Sequence, residues 1–122
     1  MPKNHLDNFK IWQKGSELAD AIQKITDRVS SLGSCDIWSS LRKMTFSIPS
    51  YLAEGFMMKN IKDGKDYFYR ALNCLEEVLK TLVLTEQMGY ITKAQIRKIK
   101  QDIIDLNGKI CELLRFQQGG LS

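Results

Sequence analysis

The sequence has few of the residues that build metal and catalytic centres. Among its 122 residues are one histidine, His5, and three cysteines without Cys-x-x-Cys spacing. A di-iron bundle uses Glu-x-x-His pairs on facing helices, and a zinc site uses closely spaced cysteine and histidine ligands. Neither pattern occurs, and the sequence has no glycine-rich phosphate loop. We therefore expect no metal, no cofactor and no enzymatic activity.

Long apolar runs are also missing. No segment approaches the roughly 20 apolar residues of a membrane span, and the N-terminal segment MPKNHLDNFK lacks the apolar region of a signal peptide. Cys35, Cys74 and Cys111 are an odd number of cysteines, which favours reduced thiols over a disulfide framework. These observations predict a cytoplasmic protein that makes no membrane contact.

Proline and glycine are too sparse for a fold of many short strands. Only Pro2 and Pro49 occur, and the glycines fall mostly where the apolar periodicity breaks. Hydrophobic residues make up 43% of the chain, enough for a buried core at this length. We expect one domain over residues 1–122, with an ordered core at about 7–116 and a frayed tail at 117–122.

Four apolar series predict four helices. In each series the spacing alternates between three and four residues, the heptad pattern of helices that pack at small angles. The series are Ile11-Gly15-Leu18-Ile22-Ile25-Val29, Ile37-Leu41-Met44-Ile48-Tyr51-Gly55, Phe68-Leu72-Leu75-Leu79-Leu82-Glu86 and Ile96-Ile99-Ile103-Leu106-Ile110-Leu113. Short breaks between helices of about 22 to 26 residues require antiparallel neighbours. The prediction is an all-α, antiparallel up-down-up-down four-helix bundle.

Residues that cap helices lie at the breaks between the series. The candidate N-caps are Asp7 or Asn8 for the first helix, Asp36 for the second, and Asn60 or Asp63 for the third. Gly89 fits the position that follows a helix. Thr92 and Gln95 have the spacing of a capping box at the start of the fourth helix.

Each helix carries more apolar residues than one seam needs. The residues beside the seams are Trp12, Ala19 and Thr26 on the first helix, Trp38, Phe46, Thr45, Leu52, Phe56, Met57 and Met58 around the second, and Ile104 and Cys111 on the fourth. One interpretation is a wide stripe that faces the core. The other is a second interface between subunits, because large exposed apolar patches usually mark a partner surface. We favour the oligomer.

Two clusters of basic residues are candidates for phosphate contact, which gives salt-dependent affinity for nucleic acid. The formal net charge is +4. Lys93, Arg97 and Lys100 share one face of the fourth helix, and Lys59, Lys62 and Lys65 surround the break between the second and third helices. In the predicted topology these clusters lie at opposite ends of the bundle. Solvated helix ends are the alternative interpretation of either cluster. No basic motif interleaved with aromatic residues, of the kind that stacks bases, is evident.

Three stretches resemble a known bacterial family. They are NFKIWQKGSELA, SLRKMTFSIPSYLAEGF and YFYRALNCLEEVLKTLVLTEQMGYIT, in that order, and the resemblance covers about Leu6 to Phe116. The family is that of the four-helix-bundle proteins encoded in intervening sequences of large-subunit ribosomal RNA genes. Its most specific feature is the Ala53-Glu54-Gly55 step, and Glu77 also matches.

Some positions depart from the pattern of this family. Tyr51 replaces an expected asparagine, and Met57 and Met58 replace an expected glycine and basic residue. Asn73 and Cys74 replace an expected Gly-Ser pair. The change at Met58 removes a basic charge beside the Ala-Glu-Gly step, which weakens the case for phosphate binding at the end of the second helix.

The resemblance implies a four-helix bundle that assembles into a homopentamer. Accessory proteins of diversity-generating retroelements, which form pentamers that engage a reverse transcriptase and nucleic acid, look like relatives. RNA binding is a role inferred for the family from gene context. The subunit number is implied by the resemblance alone.

Pro49, Glu54 and Gly55 interrupt the second apolar series. Pro49 removes the donor that would reach the Thr45 carbonyl, so we predict a kink or widened turn there. That bend would present Tyr51, Leu52 and Phe56 to a neighbouring subunit, together with Ile104 and Cys111 as further interface residues. Glu54 is expected to be partly buried and to need a hydrogen-bond partner: Arg42, Arg70 or a lysine from the next subunit. Gly55 is expected to allow close helix approach or to begin helix termination.

The favoured function is a non-enzymatic homo-oligomer that binds RNA or a ribonucleoprotein through its basic surfaces. Lys93, Arg97 and Lys100 are the first candidates for the contacts. The alternative is a protein-interaction scaffold that docks an acidic partner such as a polymerase. A bundle that binds a small molecule would need a polar pocket between helices, and the apolar seams do not predict one.

Overall fold

The computed structural model describes residues 5–29 and 35–119, with four helices and no strand in those ranges. The helices are α1 (His5–Val29), α2 (Cys35–Met57), α3 (Ile61–Gln87) and α4 (Lys93–Gly119). Their lengths of 23 to 27 residues are close to the predicted ones. The four predicted helices are therefore confirmed.

Neighbouring helices contact each other in the order of the chain, and α4 closes the arrangement against α1. Near the start of α1, Gly15 lies beside Ile48 and Leu52 of α2. Near its end, Asp27 lies 3.7 Å from Arg42, close to the start of α2. The two helices therefore run in opposite directions. These contacts are compatible with an up-down-up-down bundle.

The core confirms two of the predicted seams completely. All six seam residues of α1 and all six of α4 are buried. The apolar residues beside the α2 seam, Trp38, Thr45 and Leu52, are also buried within the single chain. The wide stripe on α2 therefore faces the core, at least at these three positions.

The buried face of α3 is shifted from the predicted seam by one residue at three positions. Leu72, Leu79 and Glu86 are only half-buried. The positions one residue earlier, Ala71, Val78 and Thr85, are fully buried. Both positions are apolar in the pairs Ala71-Leu72 and Val78-Leu79, so periodicity alone does not decide which set lies at the centre. Ala71 and Thr85 are smaller than the residues next to them, which lets the neighbouring helices approach.

The helix starts agree with the predicted caps only in the second half of the chain. Asp7, Asn8 and Asp36 lie inside helices that begin earlier, so they are not N-caps. Asn60 is the N-cap of α3, and its Oδ1 accepts a hydrogen bond from the Asp63 amide at 3.0 Å. Gly89 follows α3 with φ of +86°, as the prediction requires. Helix α4 runs to Gly119, past the predicted core end, and residues 120–122 lie outside the described ranges.

Pro49 sits in an unbroken α-helix. Residues 35–57 are α-helical throughout, so the predicted widened turn is wrong, and a bend remains a prediction. Gly15 of α1 packs against this part of α2: a Cβ there would lie 3.0 Å from Cδ1 of Leu52 and 3.8 Å from Cα of Pro49. The absence of a side chain at Gly15 therefore leaves room for the turn of α2 that contains the proline.

Candidate nucleic-acid interface

The start of α4 is fixed by the capping box that the sequence predicts. The Thr92 amide donates to Oε1 of Gln95 at 2.7 Å, and the Gln95 amide donates to Oγ1 of Thr92 at 3.1 Å. Two amides that would otherwise lack partners in the helix are satisfied in this way. The capping box thus fixes the start of α4 at Lys93. The positions of the next basic residues around the helix follow from that start.

Three basic residues on this part of α4 have free charges. Lys93 and Arg97 are exposed and Lys100 is half-buried. None of the three forms an ion pair with any residue in the described ranges. Lys98 differs from them, because its Nζ lies 3.1 Å from Oδ1 of Asp102 on the next turn. The cluster of Lys93, Arg97 and Lys100 can therefore neutralise an external anion.

Helix α1 adds basic residues at the same end of the bundle. Lys24 and Arg28 line an open groove with Ile99 of α4. Both side chains are exposed. Glu17 and Asp20 line the other part of this groove. Within this groove the positive charge therefore lies toward the end of α1.

The second predicted cluster lies at the opposite end. Lys59 and Lys62 are exposed and Lys65 is half-buried, all after the end of α2. The start of α2 lies at the other end, where Trp38 contacts Tyr90 with ring centroids 5.6 Å apart. At about 1.5 Å per residue, the 23 residues of α2 separate the two ends by about 34 Å. The two clusters therefore form separate surfaces on one chain.

A third polar surface was not predicted from the sequence. One open groove along α2 and α1 is lined by Gln23, Ser39, Arg42, Lys43, Phe46, Ser47, Ser50 and Tyr51. It combines an exposed aromatic ring with two basic side chains that the sequence did not group together. The signal that could have revealed it is the spacing of Arg42, Lys43 and Phe46, which places them on adjoining turns of one helix.

Comparison with known families gives one match. The family model described as 23S rRNA-intervening sequence protein matches residues 7–112. This range covers most of the chain and includes all three stretches on which the resemblance depends. The chain belongs to this family. No curated protein and no solved structure matches it. The likeness to the accessory proteins of retroelements stays a prediction.

In this intervening-sequence protein, the Ala-Glu-Gly step forms a close contact between α2 and α3. Gly55 is buried, and a Cβ added to it would lie 2.6 Å from Cε1 of Phe68. A Cβ added to Gly64 of α3 would collide with the carbonyl oxygen of Gly55. The prediction that Gly55 allows close helix approach is confirmed. Ala53 is half-buried beside it.

Glu54 corrects a prediction. Its side chain is exposed, so it needs no buried partner. Arg42 instead lies 3.7 Å from Asp27, and the Arg70 guanidinium lies 5.5 Å from the centre of the Tyr67 ring. Neither candidate partner was therefore needed by Glu54.

The second matching glutamate of this family member, Glu77, lies on α3. It is exposed, and its carboxylate is 3.8 Å from Nζ of Lys80. Together with burial, which is the larger cause, it raises the pKa of the Cys74 thiol above its ordinary value. A thiol that stays protonated is a poor nucleophile. Burial and Glu77 therefore disfavour the thiolate form of Cys74.

The predicted interface residues of this family member separate into two groups. Leu52 is fully buried within the single chain, so its assignment to a subunit interface is wrong. Tyr51 and Phe56 are half-buried and pack against the core. On α4, Ile104 is 55% exposed and Cys111 is half-buried. Ile104 is therefore the predicted interface residue with the most apolar surface available to a partner.

Two further observations concern metals and membranes. In the described ranges, no three or more histidine, cysteine, aspartate or glutamate side chains are grouped so that they could hold a metal ion. No described helix is long and apolar enough to cross a bilayer. His5, the single histidine of the sequence, is the first residue of α1, and its side chain is not among those that the structure describes.

Proposed function

We propose that this protein is a non-enzymatic, cytoplasmic homo-oligomer that binds RNA or a ribonucleoprotein through basic surfaces. The observation that carries the proposal is the free charge of Lys93, Arg97 and Lys100 beside the neutralised Lys98. Unpaired lysine and arginine side chains can contact phosphates without first breaking an ion pair, and each contact releases counterions from the nucleic acid. Membership of a family described by 23S rRNA-intervening sequences is compatible with an RNA-related role.

The position of the cluster adds to its attraction for phosphate. Lys93 is the first residue of α4, where the helix dipole is positive. The first turn of α4 contains no acidic residue that would offset this charge. Lys24 and Arg28 of α1 lie at the same end of the bundle as this cluster. A phosphate backbone that crosses this end of the bundle would meet basic groups from two helices.

Assembly into a homopentamer is the second part of the proposal. Ile104 lies on the same face of α4 as the basic cluster, one to two turns further along, and exposes 55% of its surface. An apolar contact there would place copies of the cluster near each other. A ring repeats each cluster about its axis, so that weak phosphate contacts add to a higher overall affinity. Lys59, Lys62 and Lys65 would supply a second ring of charges at the other end.

Reversing the charges of the first cluster tests the RNA contact. The variant carries Lys93→Glu, Arg97→Glu and Lys100→Glu, and its binding to single-stranded and duplex RNA is measured by fluorescence anisotropy. Because all three side chains lie outside the core, we expect loss of detectable binding at physiological salt with an unchanged circular dichroism spectrum. Replacement by alanine instead should reduce the salt slope of log K by about 2.

A matched control separates local contact from total charge. Lys10→Glu, Lys14→Glu and Lys109→Glu change the net charge equally at three exposed positions outside the cluster. This control is expected to keep most of the affinity. Equal losses in the two variants, or full affinity in the first, would show that Lys93, Arg97 and Lys100 are not the contact residues.

The alternative partner is an acidic protein such as a polymerase, docked on the same basic face. The same free charges support it, since a carboxylate surface can pair with them as a phosphate does. Affinity purification after nuclease treatment distinguishes the two. One stoichiometric protein that is lost with the triple charge reversal would favour the scaffold, and RNA recovered without nuclease would favour the RNA-binding protein.

A further inference from the structure

The groove along α2 presents an aromatic ring where soluble proteins usually place polar groups. Phe46 is 45% exposed on the outer face of the helix. The groove around it has a volume of about 510 Å³ and is shallow and open to solvent. The exposed ring offers a flat apolar surface on which another flat group can stack.

Basic and hydroxyl side chains surround the ring. Arg42 and Lys43 precede Phe46 by one turn and line the same groove, which Ser39 and Ser50 also line. Lys43 is exposed and forms no ion pair within the described ranges. Arg42 faces Asp27 of α1 at 3.7 Å, and its side chain keeps 32% of its surface exposed. The lining of the groove is therefore positively charged on one side of an exposed ring.

We propose that this groove is a binding subsite for one nucleotide of single-stranded RNA. The ring of Phe46 stacks on a base, and Lys43 with Arg42 contacts the adjoining phosphate. Single-strand binding proteins combine these two elements, because every base has a stackable face and every phosphate attracts a cation. The charge of Arg42 and Lys43 favours this occupant over an apolar helix or a second copy of the basic chain.

The subsite lies within reach of the basic residues already described. Arg42 contacts Asp27 of α1, next in sequence to Arg28, which lines the groove shared with α4. A single strand could therefore run from Arg28 at the end of α1 to the groove on α2. A duplex keeps its bases stacked on each other, so it cannot offer one to Phe46. The inference rests on the proposed RNA binding and adds a preference for single strands.

Substitution of the ring tests this inference. Phe46→Leu keeps an apolar side chain of similar reach but removes the aromatic face. The probes are a fluorescein-labelled, unstructured RNA of about 12 nucleotides, within the length that such sites cover, and a blunt duplex of the same sequence. We expect Phe46→Leu to weaken single-strand binding roughly 5- to 150-fold, the range for one stacked base, and to leave duplex binding unchanged. Phe46→Trp keeps an aromatic face and should bind single strands about as tightly as the natural chain does.

The controls separate this inference from the proposed function. Leu84→Ala alters an apolar side chain of similar exposure on α3, and it should change neither affinity. If the triple reversal at Lys93, Arg97 and Lys100 removes binding while Phe46→Leu has no effect, the subsite is wrong and the proposed function stands. If Phe46→Leu instead lowers the mass of the assembly and leaves RNA affinity intact, the groove is a subunit contact. Absence of binding to either RNA by the natural chain overturns both.

Discussion

Gly55 and Gly64 show how single residues set the distance between two helices. Each lacks a side chain at a point where the other helix occupies the space that a Cβ would need. Their backbones approach so closely that Phe68 packs directly on Gly55. The glycine of the Ala-Glu-Gly step therefore has a packing reason that is independent of any bound partner.

Gly55→Ala is expected to destabilise the fold. Its Cβ would lie 2.6 Å from the Phe68 ring, and such overpacking of a core costs about 1–3 kcal/mol. Gly108→Ala is the matched control, because it also lies inside a helix but has nothing within 4 Å of the added Cβ. It should stabilise the protein by about 0.5–1 kcal/mol through the helix propensity of alanine. Urea unfolding measures both, and a stable Gly55→Ala variant would contradict the close contact.

At the scale of helices, the sequence predicted those features that depend only on residues close to each other along the chain. The seams of α1 and α4, the cap at Asn60 and the capping box of α4 follow from side chains within one turn of each other. The centre of α3 was missed because residues at two adjacent positions are apolar, and only contact with α2 decides between Leu72 and Ala71. Glu54 was predicted to be buried from its apolar neighbours along the chain, although its own position on the helix faces solvent.

Thr92→Ala is expected to weaken the start of α4. The substitution removes the oxygen that accepts from the Gln95 amide at 3.1 Å, and loss of such a cap costs about 0.5–2 kcal/mol. Thr92→Ser keeps the hydroxyl and serves as the control. The free energy of unfolding should fall for alanine and stay close to the natural value for serine. Equal stability of all three proteins would mean that the capping box contributes nothing to α4.

For the whole molecule, the sequence predicted the basic cluster on α4 but missed the groove on α2. Lys93, Arg97 and Lys100 share one helix face, so helical periodicity is enough to group them. The groove requires α1 to lie beside α2, because Gln23 closes one side and Asp27 positions Arg42. Similarly, the burial of Leu52 within the single chain depends on its contact with α1, which the sequence of α2 alone does not show.

We propose that a ring of these chains carries RNA on its basic surfaces. Ile104→Glu places a charge on the exposed apolar residue of α4 and should lower the mass of the assembly, whereas Leu84→Glu, at a residue of similar exposure on α3, should not. The variant that breaks the ring is also expected to bind RNA more weakly, because the repeated contacts are lost.

The most direct test is the absolute mass of the natural protein by light scattering, with absorbance at 260 and 280 nm recorded across the same peak. We predict five times the mass of one chain, together with nucleic acid that high salt removes. A monomer free of nucleic acid would contradict both the ring and the contribution of repeated phosphate contacts.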